Sequence, residues 1–276
     1  MKNYKFTIFT PCYNGANTLH RVFDSIKYQT YDNWEWIIVN DGSTDSSHEI
    51  ITRLIKTMPI ELQKKVKYIK QNNIGKHITW NKVIKIATGD FFLPADCDDS
   101  FLPETLAFFN KAANEERELK SLSGYNVCCY DPNTSKIIGT PFPKNGMLTN
   151  NIELQYKYRI KGEHWGCQRL DLLKQYKFPE YKGHFYPENY IWFSFAKDGY
   201  YARCFNKALR AYYYEPTSLC NNKVYKFNRN KSIVDLHYSW WVCKNISSIV
   251  IKYSLISYIY LYVNLIKAVI KLLLSK

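Results

Sequence analysis

Trp36-Ile37-Ile38-Val39-Asn40-Asp41-Gly42-Ser43-Thr44-Asp45 sets the architecture of this chain. Four apolar, β-prone residues give way to turn formers, and Ile50, Ile51, Leu54 and Ile55 then recur at helical spacing. The segment reads as strand, turn, helix. Ser46 and Glu49 have the offset of a capping box, and Pro59 closes the helix.

The same unit stands on either side. Phe6 to Thr10 is a short strand halted by Pro11, followed by Leu19, Val22, Phe23 and Ile26 on one helical face. Val66 to Ile69 is a third strand, Lys76 to Thr88 a helix stopped by Gly89, and Phe91 to Leu93 a fourth strand. Such alternation predicts the α/β class, a mostly parallel sheet flanked by helices. Pro103 suits the first position of a helix carrying Leu106, Phe109 and Ala113. Asn126 to Tyr130 then reads as a strand and Asp131-Pro132-Asn133 as a turn. No fixed-period repeat, low-complexity tract or Pro/Gly/Ser linker interrupts the pattern. Residues 1–222 are therefore expected to form one domain, with a donor half at 1–118 and an acceptor half at 119–222, followed by a basic, apolar tail at 223–276.

The chain has 276 residues, 46% of them hydrophobic, with 24 Tyr and 15 Phe, enough for a sizeable core. After Met1 and Lys2 the apolar stretch Phe6 to Phe9 ends at Pro11, too short for the apolar part of a secretory signal, which leads to the expectation of a cytosolic catalytic domain. Eight Cys, at 12, 97, 128, 129, 167, 204, 220 and 243, form no C-x-x-C pair and are expected to be reduced. The net charge is +14, and more than half of the excess lies from Lys223 onward, where nine basic residues face one acid, Asp235. A nucleic-acid platform would interleave basic and aromatic residues along one surface. The charge instead gathers beside an apolar helix, so no nucleic-acid partner is expected.

In open α/β sheets ligands bind beyond the carboxyl ends of the strands. Three loops stand there: Pro11-Cys12-Tyr13-Asn14-Gly15, Asn40-Asp41-Gly42-Ser43-Thr44-Asp45 and Asp96-Cys97-Asp98-Asp99. The first two, singly, are ordinary turn chemistry. The third places three carboxylates in four residues, which repel one another unless a cation compensates them. A hard divalent ion held by carboxylates and substrate phosphates, Mn2+ or Mg2+, suits such a set; a solvated acidic turn is the alternative.

The order of these motifs resembles the family 2 glycosyltransferases of the GT-A fold. The residues that carry the resemblance are Thr10-Pro11-Cys12-Tyr13-Asn14, Val39-Asn40-Asp41-Gly42-Ser43-Thr44-Asp45, Asn73-Ile74-Gly75-Lys76 with Asn81, and Gly89-Asp90 leading to Asp96-Cys97-Asp98-Asp99. The resemblance spans about Lys5 to Cys220. It implies a nucleotide-sugar donor, with Asp41 on the nucleobase, Pro11, Tyr13 and Asn14 lining the nucleoside pocket, Asp96 near the ribose, and Asp98, with Asp96 beside it, at the metal. Gly75 and Lys76 open a helix whose amides and cation would face the donor phosphates; a plain surface lysine is the other reading.

Gly162-Glu163-His164-Trp165-Gly166 and His184-Phe185-Tyr186-Pro187-Glu188-Asn189-Tyr190-Ile191-Trp192 resemble the acceptor half of the same family. Many members carry Glu-Asp where this chain has Glu188-Asn189, and Asn cannot be a base, so a catalytically inactive GT-A module that binds a nucleotide sugar or a partner enzyme is the alternative function. Others carry Pro-Glu with a Trp four residues after the Glu, which matches Pro187, Glu188 and Trp192, so Glu188 inherits the role of base; a helix N-terminal surface Glu is the alternative. His164, Trp165 and Trp192 are candidate acceptor contacts, with core packing the competing role for each aromatic. The reaction implied is an inverting single displacement onto an acceptor hydroxyl. The Gln-x-x-Arg-Trp motif of processive synthases is absent.

Between Lys252 and Lys267 lie fourteen uncharged residues, fewer than the roughly 20 a helix needs to span a bilayer. On a helix, Lys252, Asn264, Lys267 and Lys271 fall within a wedge of about 120°. That predicts an amphipathic helix lying on the membrane surface, its basic face toward anionic lipid; packing against the domain or in a dimer is the alternative. A lipid-linked or growing glycan would be the acceptor for an enzyme so placed.

Overall fold

The computed structural model describes residues 1–181, 184–214 and 229–275. In chain order the elements are β1 (Phe6–Cys12), α1 (Leu19–Lys27), β2 (Trp34–Asp41), α2 (Ser47–Thr57), α3 (Ile60–Gln63), β3 (Val66–Gln71), α4 (Lys76–Ile86), β4 (Phe91–Pro94), β5 (Ser100–Phe101) and α5 (Thr105–Glu115). There follow β6 (Leu122–Tyr130), β7 (Met147–Thr149), a π-helical turn (Glu153–Lys157), β8 (His164–Arg169), α6 (Leu170–Leu173), α7 (Asn189–Lys197), β9 (Tyr201–Ala211), α8 (Arg229–Val250) and α9 (Leu255–Leu274).

The strands form one sheet in the order β3-β2-β1-β4-β8-β6-β9-β5, with β7 paired to β9. β3, β2, β1 and β4 are mutually parallel, as the strand-helix alternation predicts. Beyond β4 the sheet turns mixed, because β8 runs antiparallel to both β4 and β6 while β6 and β9 are parallel. β1 is buried along its whole length, as a central strand covered on both faces must be. One face packs Phe6, Ile8, Trp36, Ile38 and Leu93 against Leu19, Val22, Phe23 and Ile26 of α1 and Leu106 and Phe109 of α5. The other packs Phe9, Ile37, Val39 and Phe92 against Trp80, Val83 and Ile84 of α4 and Ile191 and Phe195 of α7. Because β1, β2 and β4 are parallel, Cys12, Asp41 and Pro94 end at the same edge of the sheet, where the three loops meet.

Local expectations were corrected at four points. Ser46 stands at the N-cap of α2 without a side-chain cap bond, because Asp45 Oδ1 accepts from the backbone N–H of Ser47 (3.0 Å) instead. α4 ends at Ile86 rather than Thr88, and Gly89 is needed for close approach to β1: a Cβ there would lie 2.6 Å from the Thr7 nitrogen. Pro103 precedes α5 by two residues, and Glu104 takes the N-cap.

The fourth concerns the tail, which is a hairpin of two helices rather than one amphipathic helix. Lys252 lies in the turn between them, so it does not share a helical face with Lys267 and Lys271. By incorporating those two lysines, α9 reaches 20 residues and is long and apolar enough, by length and composition, to cross a membrane. α8 seats Val242, Cys243, Ile246 and Val250 against Ile152, Tyr156, Phe193 and Ala196 of the acceptor half, and Leu261 of α9 joins the same cluster. The division set between residues 222 and 223 falls outside the described residues. The seven described cysteines are free thiols, and Cys220 lies outside the described residues.

Candidate active site

Four segments build the site at the carboxyl edge of the parallel strands. The β1 and β2 loops are sewn to each other. Asn14, at φ 54°, accepts at Oδ1 from Thr44 N (2.8 Å), while its own N–H donates to Ser43 Oγ (3.0 Å). Gly15 N donates to Ser47 Oγ (3.0 Å) and Ala16 N to Asp45 Oδ2 (3.1 Å). Asn14 thus spends its side chain on loop structure, and Tyr13 beside it is half exposed. Pro11 is buried at the end of β1, opposite Val39 in register.

Asp41, 4% exposed at the end of β2, reaches across to the loop before α4. Its Oδ1 accepts from Gln71 Nε2 (2.7 Å) and Ile74 N (3.0 Å), and its Oδ2 from Gly75 N (2.8 Å). A carboxylate with these donors is compensated without a cation side chain. Gly42 is obligatory here: at φ 75° it sits so close to the Asn73 backbone that a Cβ would lie 2.5 Å from Asn73 N. Asp41 therefore sets the backbone that presents Lys76.

Lys76, the first residue of α4, points into the carboxylate loop. Its Nζ lies 2.8 Å from Asp96 Oδ1, 2.9 Å from Asp96 Oδ2 and 2.8 Å from Glu188 Oε1. Burial disfavours its charge, yet the two carboxylates outweigh burial and hold the ammonium protonated well above the ordinary lysine value. Burial likewise works to raise Asp96, and the Lys76 and Arg210 cations overcome it, leaving Asp96 below the usual carboxylate value. Glu188 is the N-cap residue of α7, and Asn189 is its exposed first residue.

Asp96, Asp98 and Asp99 bring carboxylate oxygens within 4.8 Å of one another. Asp99 is committed, since its Oδ2 pairs with Nη2 of Arg210 on β9, both side chains being buried. Burial pushes Asp99 up to about 7 against the pull of Arg210, with Asp96 and Asp98 adding repulsion. Asp98 has no ion-pair partner among the described residues, and burial together with Asp96 raises its pKa. An uncompensated oxygen donor beside the ionised Asp96 is a set that fits a divalent ion with oxygen preference.

The acceptor candidates are distributed differently. Trp165 is 6% exposed, stacks on Phe101 (4.9 Å between centroids) and donates through Nε1 to the Pro94 carbonyl (2.6 Å). It supports the end of β4 from within the core. Trp192 is part-buried, edge-on to Trp80 and Phe195. His164 lies over Phe142 (4.5 Å), its Nε2 3.0 Å from the Thr140 carbonyl oxygen, and burial holds it below the ordinary histidine value. The structure thus unites Asp41, Gly75, Lys76, Asp96, Asp98 and Glu188, and sets His164, Trp165 and Trp192 in packing contacts.

Sequence reading missed Arg210 and His77. A charged residue inside the apolar run Ala208-Leu209-Arg210-Ala211 was the available signal for the first. His77, 2% exposed, accepts at Nε2 from Tyr181 N (3.3 Å), and burial lowers its pKa to about 4. A separate hollow of about 450 Å³, lined by Arg21, Tyr28, Phe101 and Tyr213 among others, opens beside α1. Arg21 Nη1 joins it to the carboxylate loop by donating to the Asp98 carbonyl (3.3 Å).

The chain matches the family described as Glycosyl transferase family 2 over residues 7–169, more than half its length. It is 26% identical over 229 residues to TuaG of Bacillus subtilis (strain 168), a protein named for teichuronic acid biosynthesis, covering 81% of this chain and 85% of TuaG. It is 38% identical over 95 residues to glycosyltransferase GlyA of Streptococcus pneumoniae serotype 4, covering 34% of this chain but only 13% of GlyA. Among solved structures, S. aureus TarS 1–349 in complex with UDP-GlcNAc aligns with a TM-score of 0.63 at 19% identity, covering 87% of this chain and 67% of that one. Mannosyltransferase PcManGT from Pyrobaculum calidifontis, in complex with GDP-Man and Mn2+, aligns with a TM-score of 0.61 at 16% identity, over 98% and 74% of the two chains. The fold is GT-A, and the protein belongs to glycosyl transferase family 2.

Proposed function

We propose that this chain transfers a sugar from a nucleotide-activated donor, a UDP-sugar, to an acceptor hydroxyl with inversion, and that the acceptor is a lipid-linked or growing surface glycan at the inner face of the cell membrane. The observation that carries the reading is the Lys76 bridge, which brings the donor-side carboxylate Asp96 and the acceptor-side carboxylate Glu188 to one ammonium. The UDP-GlcNAc bound to TarS and the teichuronic acid role in the name of TuaG support the donor class and the glycan class.

In this reading Glu188 Oε1 takes the proton of the acceptor hydroxyl, and Lys76 holds that carboxylate in position until the acceptor arrives. General base catalysis of this kind typically contributes about 10² to 10⁴-fold. Asp98 and Asp96 would hold Mn2+ or Mg2+, and the Mn2+ of PcManGT supports that assignment. When bound, the ion supplies positive charge against the diphosphate that departs. Asp41 fixes the Ile74-Gly75 turn and faces the nucleobase, with Pro11, Tyr13 and Asn14 forming the wall beside it. His164, Trp165 and Trp192 shape the acceptor side from behind.

The exposed apolar side chains of α9, including Ile256, Ile259, Ile266 and Ile270, with Lys267 among them, suit a membrane surface. UDP release from a panel of UDP-sugars with Mn2+ tests the activity. Turnover with one donor, abolished in Asp98→Ala, is the expected result, and wild-type turnover in that variant would remove the metal assignment.

A further inference from the structure

We infer that α8 belongs to the acceptor machinery: His237 and Trp241 are positioning residues that hold the segment carrying Glu188 against Lys76. The inference rests on the proposed role of Glu188 as base. Two aromatic residues flank that carboxylate in sequence, Tyr186 on one side and Tyr190 on the other, and both are gripped by α8. Tyr186 is 0% exposed, and its hydroxyl lies 2.7 Å from His237 Nδ1. A phenol buried this completely needs a polar partner, and an apolar helix packed there would leave it unpaired. Tyr190 meets Trp241 one helical turn further along α8, with ring centroids 4.6 Å apart.

Glu188 has no capping bond to its own helix. Its carboxylate is held through Lys76, and its backbone through these two neighbours. The same α8 is tied to α9: Asp235, two residues before His237, pairs with Lys231 and with Lys271 of α9 (2.6 Å). The hairpin that presents an apolar face to its surroundings and the carboxylate that takes the acceptor proton thus share one packed unit. A small displacement of a catalytic group, on the order of 1 Å, costs up to about 10² in rate.

The test compares wild type with His237→Phe, which keeps the ring bulk and loses the bond, His237→Gln, which retains a polar partner, and Trp241→Ala. Three quantities are read: UDP affinity in the presence of Mn2+, turnover of the UDP-sugar found by donor screening, and deuterium uptake of peptides covering 185–197 and 91–101. The expected result for His237→Phe is a fall in kcat of about tenfold or more, with donor KM and UDP affinity within about twofold of wild type and faster uptake confined to 185–197; His237→Gln recovers part of the rate. Unchanged kcat, or uptake that rises equally in both peptides, would overturn the inference. If wild type turns over no UDP-sugar, the proposed function fails, and the uptake pattern alone decides whether α8 positions the segment.

Discussion

Lys76 Nζ stands between Asp96 and Glu188, 2.8 Å from an oxygen of each, and so joins two carboxylates 92 positions apart in sequence across the two halves of the domain. Lys76→Met removes the cation and leaves two carboxylates facing one another. Turnover is expected to fall by about 10² to 10³, the range seen when a positioned donor is removed from a reacting centre. Weaker UDP binding should accompany the loss. Glu188→Gln separates the two roles, because it should lower kcat while UDP affinity stays near wild type. Steady-state kinetics and calorimetry with UDP and Mn2+ check both, and equal turnover in either variant counts against the bridge as a catalytic feature.

The Arg210–Asp99 pair is buried, with 9% and 4% of its two side chains exposed, and removing one member strands the other. Arg210→Met is expected to destabilise the fold by about 3–5 kcal/mol. Since burial already brings Asp99 to about 7, the double variant Arg210→Met with Asp99→Asn should recover part of that loss. Urea unfolding of wild type, each single variant and the double variant measures it, and additive effects would mean that the pair is not coupled.

His77 provides a pH signature. Burial lowers its folded-state pKa to about 4, while the unfolded value is the ordinary 6.5. Between those values the unfolded chain binds the proton and the folded chain does not, so stability falls as pH drops through that window and is fully present above it. One such group contributes a slope of up to about 1.4 kcal/mol per pH unit. Burial lowers His164, His184 and His237 in the same direction, so the slope persists in part when His77 is replaced. His77→Leu should flatten the dependence of the urea midpoint between pH 4 and 6.5, and an unaltered slope would show that His77 accepts the proton without unfolding.

Ile256, Ile259 and Ile270 are 77%, 53% and 50% exposed on α9. Replacing all three with Glu leaves the buried contacts of Leu261 and Ala268 in place. Wild type is expected to sediment with vesicles containing anionic lipid, and the triple variant to remain in the supernatant. Equal sedimentation of both would sink the idea that this face meets a membrane.

Reading the sequence located the parallel half of the sheet and the carboxylate loop, because both are local. Period-2 and period-3.6 apolar patterns and the turn chemistry of Asn40 to Asp45 specify strand, turn and helix within a few residues of one another. The clustering of Asp96, Asp98 and Asp99 was legible for the same reason, since three carboxylates in four residues repel one another and call for a counter-charge whatever the fold. The tertiary structure alone decided which partner each charge takes. Arg210 reaches Asp99 over a separation of 111 residues, Lys76 meets Glu188 only because α4 and α7 cover the same face of the sheet, and Trp165 turns inward under Pro94. It also folded the tail into a hairpin and set His237 on Tyr186, because the apolar surface of α8 is buried against the acceptor half. Patterns along the chain record which groups need burial or a counter-charge; the packing of elements distant in sequence chooses who supplies it.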